Sequence, residues 1–150
     1  MITYTDIKAA ITAALNDIFP GVPVYGLETV EGYKRPCFFL DIVPELDEGS
    51  VNFKHKYCTA EITKVQQTAD EADALEFFCA VEQAFYLKLA VKDRKINTSR
   101  FSPAWLGEFS NIPTITFEME WYEAVEKTIK QPYIEQVITN IRKGENNGTS

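Results

Sequence analysis

The feature that most restricts the fold is an alternation near the end of the chain. Apolar and polar side chains take turns in the run Thr114, Ile115, Thr116, Phe117, Glu118, Met119, Glu120 and Trp121. Successive side chains of a β-strand point to opposite faces, so this run predicts a strand with one buried face. Any fold for this chain must therefore contain a sheet that is covered on one side.

Weaker strand signals precede this run. A short strand is predicted around residues 22–25, and the apolar run 37–43 predicts a central strand covered on both faces. A long strand over residues 51–62 changes its apolar parity near Tyr57, which predicts a bulge or a twist there. Residues 94–105 predict one strand and an irregular loop.

Helices are predicted where apolar side chains recur every three or four residues. Thr5 is predicted to cap a first helix that runs to about Phe19. Thr68 and Glu71 fit a capping box at the start of a second, longer helix. Pro132 suits the first turn of a last helix.

The order of these elements predicts an α+β fold. The order is α-β-β-β-α-β-β-α, with one mixed, mainly antiparallel sheet of about four to five strands and helices packed on it. Residues 1–143 are predicted to form a single domain, and residues 144–150 a disordered C-terminal tail. The apolar phase of each element predicts a core of Ile11, Leu15, Phe39, Ile42, Leu75, Phe78, Phe85, Ile115, Phe117 and Trp121.

The charge balance restricts the partners. A formal net charge of -7 opposes binding to a phosphate backbone, so nucleic acid is not expected as a direct ligand. The basic run Lys92, Arg94 and Lys95 follows a predicted helix, where cations complement the helix dipole. No apolar stretch approaches the roughly 20 residues of a membrane span, so we expect a cytoplasmic protein without a membrane partner.

The histidine and cysteine residues give no catalytic pattern. His55 is the only histidine, and no G-x-S-x-G sequence occurs, so His55 is predicted to be a partly buried structural residue. Cys37, Cys58, Cys79 and His55 have a Cys3His composition, but zinc ligands usually come in close sequence pairs. The three thiols are expected to be reduced and mostly buried.

Carboxylates also have structural interpretations. Asp70, Glu71 and Asp73 lie at a predicted helix start, where the helix dipole stabilises acidic residues without a metal. Glu118 and Glu120 share one strand face as a glycosidase pair could, but solvated or interface glutamates are the preferred interpretation. With no glycine-rich phosphate loop, no catalytic residue, cofactor or metal ligand is predicted, and no enzyme is expected.

Two groups of residues near the start of the chain form a familiar pattern. They are Ile2, Thr3, Tyr4, Asp6, Ile7, Phe19, Pro20, Pro23, Val24 and Tyr25, and the run Glu31, Gly32, Tyr33, Lys34, Arg35, Pro36, Cys37, Phe38 and Phe39. This pattern resembles the tail-terminator (tail completion) proteins of long-tailed phages and phage-derived particles of Gram-positive bacteria. The resemblance covers about the first 45 residues, and beyond them only the order of elements matches.

The resemblance implies a structural assembly protein without catalytic chemistry. Such a subunit forms a homo-oligomeric ring, a hexamer in related terminators, that caps the tail tube, ends tube polymerisation and offers a docking surface for the head connector. The implied partners are further copies of itself, the tail-tube protein and the head-tail connector protein, with DNA only as passing cargo. The implied location is the bacterial host cytoplasm during assembly, and then the tail of a virion or phage-like particle.

Large apolar side chains in two loop-like segments suggest where such a ring makes its contacts. The turn 44–51 and the segment 98–111 combine exposed-loop composition with bulky groups that a solitary domain rarely displays together. The predicted oligomer or tube interface consists of Leu46, Val51, Phe101, Trp105, Leu106 and Phe109. The alternative is that these side chains fold back onto their own core.

Other functions remain open from the sequence. A head-tail connector, or other neck component, would share the size, the acidity and the lack of catalytic motifs. A small cytosolic ligand-binding or regulatory domain could use the aromatic side chains to line a pocket. An enzyme with Cys58 or Cys79 as nucleophile would need a base, and only His55 lies close in sequence to Cys58.

Overall fold

The computed structural model describes residues 1–45 and 48–125, which form two helices and seven strands. In chain order these are α1 (Tyr4–Ile18), β1 (Val24–Tyr25), β2 (Cys37–Pro44), β3 (Glu48–Gly49), β4 (Phe53–Val65), α2 (Glu71–Phe85), β5 (Lys88–Val91), β6 (Arg94–Leu106) and β7 (Ile112–Ala124). Leu46, the predicted last helix from Pro132 and the predicted tail 144–150 lie outside the described residues.

All seven strands belong to one mixed sheet. The strand order is β1-β2-β4-β7-β6-β5, and β3 pairs with β4 beside this path. The β1–β2 pair is parallel and the other pairs are antiparallel. The α+β class and the mainly antiparallel sheet are confirmed, but the strand number was predicted too low. Residues 88–106 form a hairpin of β5 and β6. Few of their side chains are apolar, but those that face the core alternate along the strand, as a sheet requires.

The long strands β4 and β7 form the centre of the sheet. Their register runs without interruption from Phe53 opposite Ala124 to Thr63 opposite Thr114. The predicted bulge near Tyr57 is therefore absent. The apolar pattern of β4 shifts by one residue at Tyr57 for another reason. Cys58 faces the helices, whereas the aromatic ring of Tyr57 lies on the opposite face of the sheet.

Both helices begin at residues other than the predicted ones. Thr3 caps α1 in a capping box, in which its hydroxyl accepts from the Asp6 N–H at 3.1 Å and the Asp6 carboxylate accepts from the Thr3 N–H at 2.9 Å. Asp70 caps α2. The predicted caps Thr5 and Thr68 were thus wrong by two residues each, because several neighbouring side chains are suitable capping groups.

The core lies between the two helices and one face of the sheet, which we call the covered face. Phe117 of β7 stacks between Phe85 of α2 and Phe101 of β6, at centroid distances of 5.2 and 5.1 Å. The buried apolar side chains include Ile7, Ile11, Leu15, Phe38, Leu40, Cys58, Ala60, Ile62, Phe77, Phe78, Val81, Phe85, Ile96, Ile115, Phe117, Met119 and Trp121.

Three predicted core residues deviate from the prediction. Leu75 is 49% exposed, because α2 turns other side chains, such as Phe77 and Phe78, towards the sheet. Phe39 is half-buried because it lies on the face of β2 that carries no helix, whereas Ile42 packs against the core on the covered face, near the end of the strand, and is also half-buried. The remaining predicted core residues are buried.

The other face of the sheet, which we call the open face, carries no helix among the described residues. Half-buried polar side chains follow one another across its central strands. They include Asp41, Thr59, Glu61, Thr116, Glu118 and Glu120. The strand period thus separates an apolar face from a polar face, as the run 114–121 predicts.

Candidate functional site

Large exposed apolar side chains gather at the two ends of the central strands. One end contains the turn between β6 and β7, and we call it the β6–β7 end. The other contains the start of β4 and the end of β7, and we call it the β3–β4 end. Each central strand has 13 residues, so the two ends lie about 40 Å apart at about 3.3 Å per residue. The two ends are therefore separate apolar surfaces.

The β6–β7 end carries three predicted interface residues. Trp105, Leu106 and Phe109 are 39%, 42% and 79% exposed. The Trp105 ring packs edge-on against Phe78 of α2 at 5.5 Å. Together with Leu75, Trp105 lines an open cleft of about 530 Å³ between the start of α2 and the β6–β7 turn. This end thus offers an exposed turn tip next to a ring that packs on the core.

The β3–β4 end carries Val51, Phe53 and Tyr122, which are 79%, 56% and 60% exposed. Phe53 and Tyr122 line a shallow depression with His55, whose ring stacks on the Tyr122 ring at 4.2 Å. The sequence prediction included Val51 but missed Phe53 and Tyr122. For Phe53 the available signal is the alternation of aromatic residues from Phe53 to Tyr57, which is also typical of a buried strand face.

The remaining predicted interface residues behave differently. Phe101 is half-buried, and its ring stacks on Phe117, so here the alternative of folding back onto the core holds. Leu46 lies outside the described residues. The segment 98–111 is not an irregular loop: most of it is β6, with a register shift only between Ser99 and Ser102.

The single histidine joins a hydrogen-bonded cluster on the open face. His55 Nε2 lies 3.0 Å from a Glu120 carboxylate oxygen, and Nδ1 lies 2.8 Å from the Tyr57 hydroxyl. Cys58 points to the covered face, so His55 cannot serve as its base. Burial first, and the Glu45 carboxylate second, raise the pKa of Cys58 to about 12, which keeps the thiol protonated at neutral pH.

The other cysteines and acidic residues also have structural surroundings. Burial raises the pKa of Cys37. Cys37 and Cys58 are buried and Cys79 is exposed on α2, so the thiols are mostly buried as expected. Asp73 accepts hydrogen bonds from Gln66 at 2.7 Å and from Lys64 at 2.9 Å. Within residues 1–45 and 48–125, no group of three or more His, Cys, Asp or Glu side chains could hold a metal ion.

The basic run does not lie at a helix end as predicted. It flanks the turn between β5 and β6, where Lys92 binds the Asp6 carboxylate at 3.0 Å and Arg94 binds Glu123 at 3.1 Å. Lys92 and Arg94 therefore have carboxylate partners within the chain. Neither described helix has the length and apolar composition to cross a membrane.

Similarity to known proteins points to one family. A family model described as phage tail terminator protein matches residues 6–131. No curated protein matches the sequence. Nine chains of solved structures match, and one of them has a TM-score of 0.50 at 12% identity over 84% of this chain and 98% of its own length. At that identity the structural likeness shows the fold alone.

Proposed function

This chain belongs to the phage tail terminator family, and on that premise we propose that its copies form a ring that caps the finished tail tube. The ring, a hexamer, stops the addition of tube protein and presents a docking surface for the head connector. The protein acts in the host cytoplasm during assembly and then stays in the tail. DNA passes through the ring without binding to it, and no catalytic step is involved.

The observation that carries this proposal is the pair of apolar ends. A ring between a tube and a connector binds a different partner on each side, so each subunit needs two distinct surfaces that face opposite ways. The β6–β7 end and the β3–β4 end lie about 40 Å apart along the central strands. Exposed apolar groups of this size usually mark surfaces that a partner buries. We propose that one end binds the tube and the other binds the connector.

Tail length and head attachment test these two roles. Phe109→Asp alters the β6–β7 end and Val51→Asp the β3–β4 end, at side chains so exposed that folding should be unaffected. Purified tube protein is assembled with each variant, tail lengths are measured by electron microscopy, and attachment to filled heads is scored. We expect one variant to give overlong, uncapped tails, and the other to give tails of normal length that do not join heads.

The matched control is Gln83→Asp, which places a new carboxylate on an exposed position of α2, close to Phe85, whose ring stacks on Phe117 in the middle of β7. It should cap tubes and attach heads like the wild-type protein. Normal tail length and normal head attachment with both end variants would contradict the proposal.

A further inference from the structure

The described sheet has two edges without a neighbouring strand. At one edge, β1 covers β2 only at Phe38 and Phe39, so residues 40–44 have no described strand on their outer side. At the other edge, β5 pairs with β6 alone. An uncovered edge presents backbone N–H and C=O groups that can bind another chain, and proteins usually shield such edges.

The direction of the backbone groups can be read from the pairing. The Phe38 N–H donates to the Pro23 carbonyl at 2.9 Å, on the side away from β4. Backbone groups alternate in direction along a strand, so the N–H and C=O of Ile42 also point outward. On β5, Val91 pairs with Arg94 across a two-residue turn, and in such a turn the backbone groups of the two flanking residues bond each other. The backbone N–H and C=O of the preceding Ala90 therefore point away from β6. Each edge thus offers an outward donor and acceptor.

The two edges match in polarity and length. Four successive antiparallel pairings separate β2 from β5, so the two strands point the same way. If β5 of a second copy lay beside β2, the two strands would therefore pair in parallel, as β1 and β2 already do. The four residues of β5 fit the stretch 40–44 that β1 leaves uncovered.

The side chains of the two edges are complementary in charge. On β5, Leu89 is buried in the core and the exposed Lys88 lies on the open face, where it binds Asn97 at 2.9 Å. On β2, Ile42 packs against the core and Asp41 lies on the open face. Joining the edges would place opposite charges, Lys88 and Asp41, on the same face, and would continue the apolar layer on the other.

Both edges are flanked by exposed apolar groups. Tyr86 and Leu87, immediately before β5, are 61% and 56% exposed. Leu27 and Val30, in the loop after β1, are 76% and 83% exposed. A contact between the edges could bury apolar groups from both sides, which strand pairing alone would not do.

We infer that β5 of one copy adds to residues 40–44 of β2 in the next copy, so that the sheets join edge to edge around the ring. The inference rests on the proposed ring function and names its subunit contact. The contact joins two different surfaces, and repeating it in one direction closes a ring when the rotation between neighbouring copies divides a full turn evenly. The strands then run along the wall of the ring, and the two apolar ends point in opposite directions along its axis.

Charge reversal tests the side-chain pairing. Lys88→Glu and Asp41→Lys each bring like charges together, and each should raise the protein concentration for half-maximal capping about tenfold. The double variant should restore capping, because every copy carries both changes. Glu82→Lys, on an exposed position of α2, changes the net charge in the same direction and by the same amount as Asp41→Lys and is the control for that variant. A double variant that caps as poorly as the single ones would overturn the pairing.

Cross-linking on capped tubes tests the contact directly. Val43→Cys and Ala90→Cys put one thiol on each edge, on the open face, in a Cys79→Ser background whose other cysteines are buried. A short bismaleimide should link the double variant into chains of several subunits and leave each single variant monomeric. Capped tubes that yield only monomers, or dimers from a single variant, would overturn the edge contact and leave the capping function intact. If the wild-type protein fails to cap tubes, the proposed function itself falls.

Discussion

The two faces of the sheet share the same strands and differ in almost everything else. On β7, Ile115, Phe117 and Met119 are at most 1% exposed, whereas the alternating Thr116 and Glu118 are half-buried and polar. The covered face supplies the apolar burial that dominates folding free energy. The open face contributes little of it, so its side chains and the sheet edges can change for binding at small cost to stability.

The largest expected effect contrasts neighbouring residues of β7. Phe117→Ala removes a fully buried ring stacked between two others, and should lower the free energy of unfolding by about 3 to 5 kcal/mol. Thr116→Ala, one residue away on the open face, should change it by less than about 0.5 kcal/mol. Urea unfolding of both variants measures the difference, and similar losses would show that the two faces contribute alike.

A charged residue on the covered face gives a sharper test. Lys64 is only 7% exposed, with its ammonium 2.9 Å from the Asp73 carboxylate and 5.4 Å from the centre of the Phe19 ring. Lys64→Ala removes this ion pair and the packed aliphatic stem, and should cost about 1 to 3 kcal/mol, less than Phe117→Ala. Lys54→Ala, on the same strand but less buried, is the matched control.

The same ion pair predicts a pH dependence. Hydrogen bonds from Gln66 first, and from Lys64 second, lower the pKa of Asp73 from its ordinary 3.8. Because the pKa is lowered in the folded state, the associated stability is complete above about pH 4 and is lost as the pH falls through the folded pKa. Asp73→Asn should therefore lose less stability than the wild-type protein between about pH 4 and pH 2. If both proteins lost the same amount of stability over this pH range, that result would contradict this assignment.

The smallest effect is expected for the most chemically suggestive residue of the open face. His55→Ala removes the contacts to Glu120 and Tyr57, a side chain that is 18% exposed, and should cost about 1 kcal/mol. Tail capping should be unchanged, because the proposed function requires no proton transfer. Glu120→Gln, which keeps the size of the side chain, serves as its control. A folded His55→Ala protein that no longer caps tubes would show that this face has a direct role.

Much of the fold could be predicted from period-two and helical patterns. The strands around residues 37–43 and 114–121 and both described helices lie where the sequence indicates, because their apolar side chains face the core. Tyr57 shows the limit. Aromatic residues on the polar face of β4 resemble a buried stripe, since pattern alone does not reveal that His55, Tyr57 and Tyr122 pack on each other.

The exposed ends were only partly predictable. Phe109 and Val51 occupy turn-like sequence and are exposed as predicted, whereas Phe101 has the same kind of neighbours and is half-buried. The register shift between Ser99 and Ser102 explains the difference, because it turns Phe101 towards Phe117. Such a shift depends on the partner strand, which the local sequence does not specify.

The uninterrupted register of β4 and β7 also has a mechanical consequence. Eleven residue pairs join these strands, and the strands extend from one apolar end to the other. A pull on both ends would act along the strands and strain all the backbone hydrogen bonds between them in shear at once, instead of opening them one after another. Under the proposed function, tension between a tail and a head would therefore be carried through the sheet centre by backbone hydrogen bonds rather than by side chains.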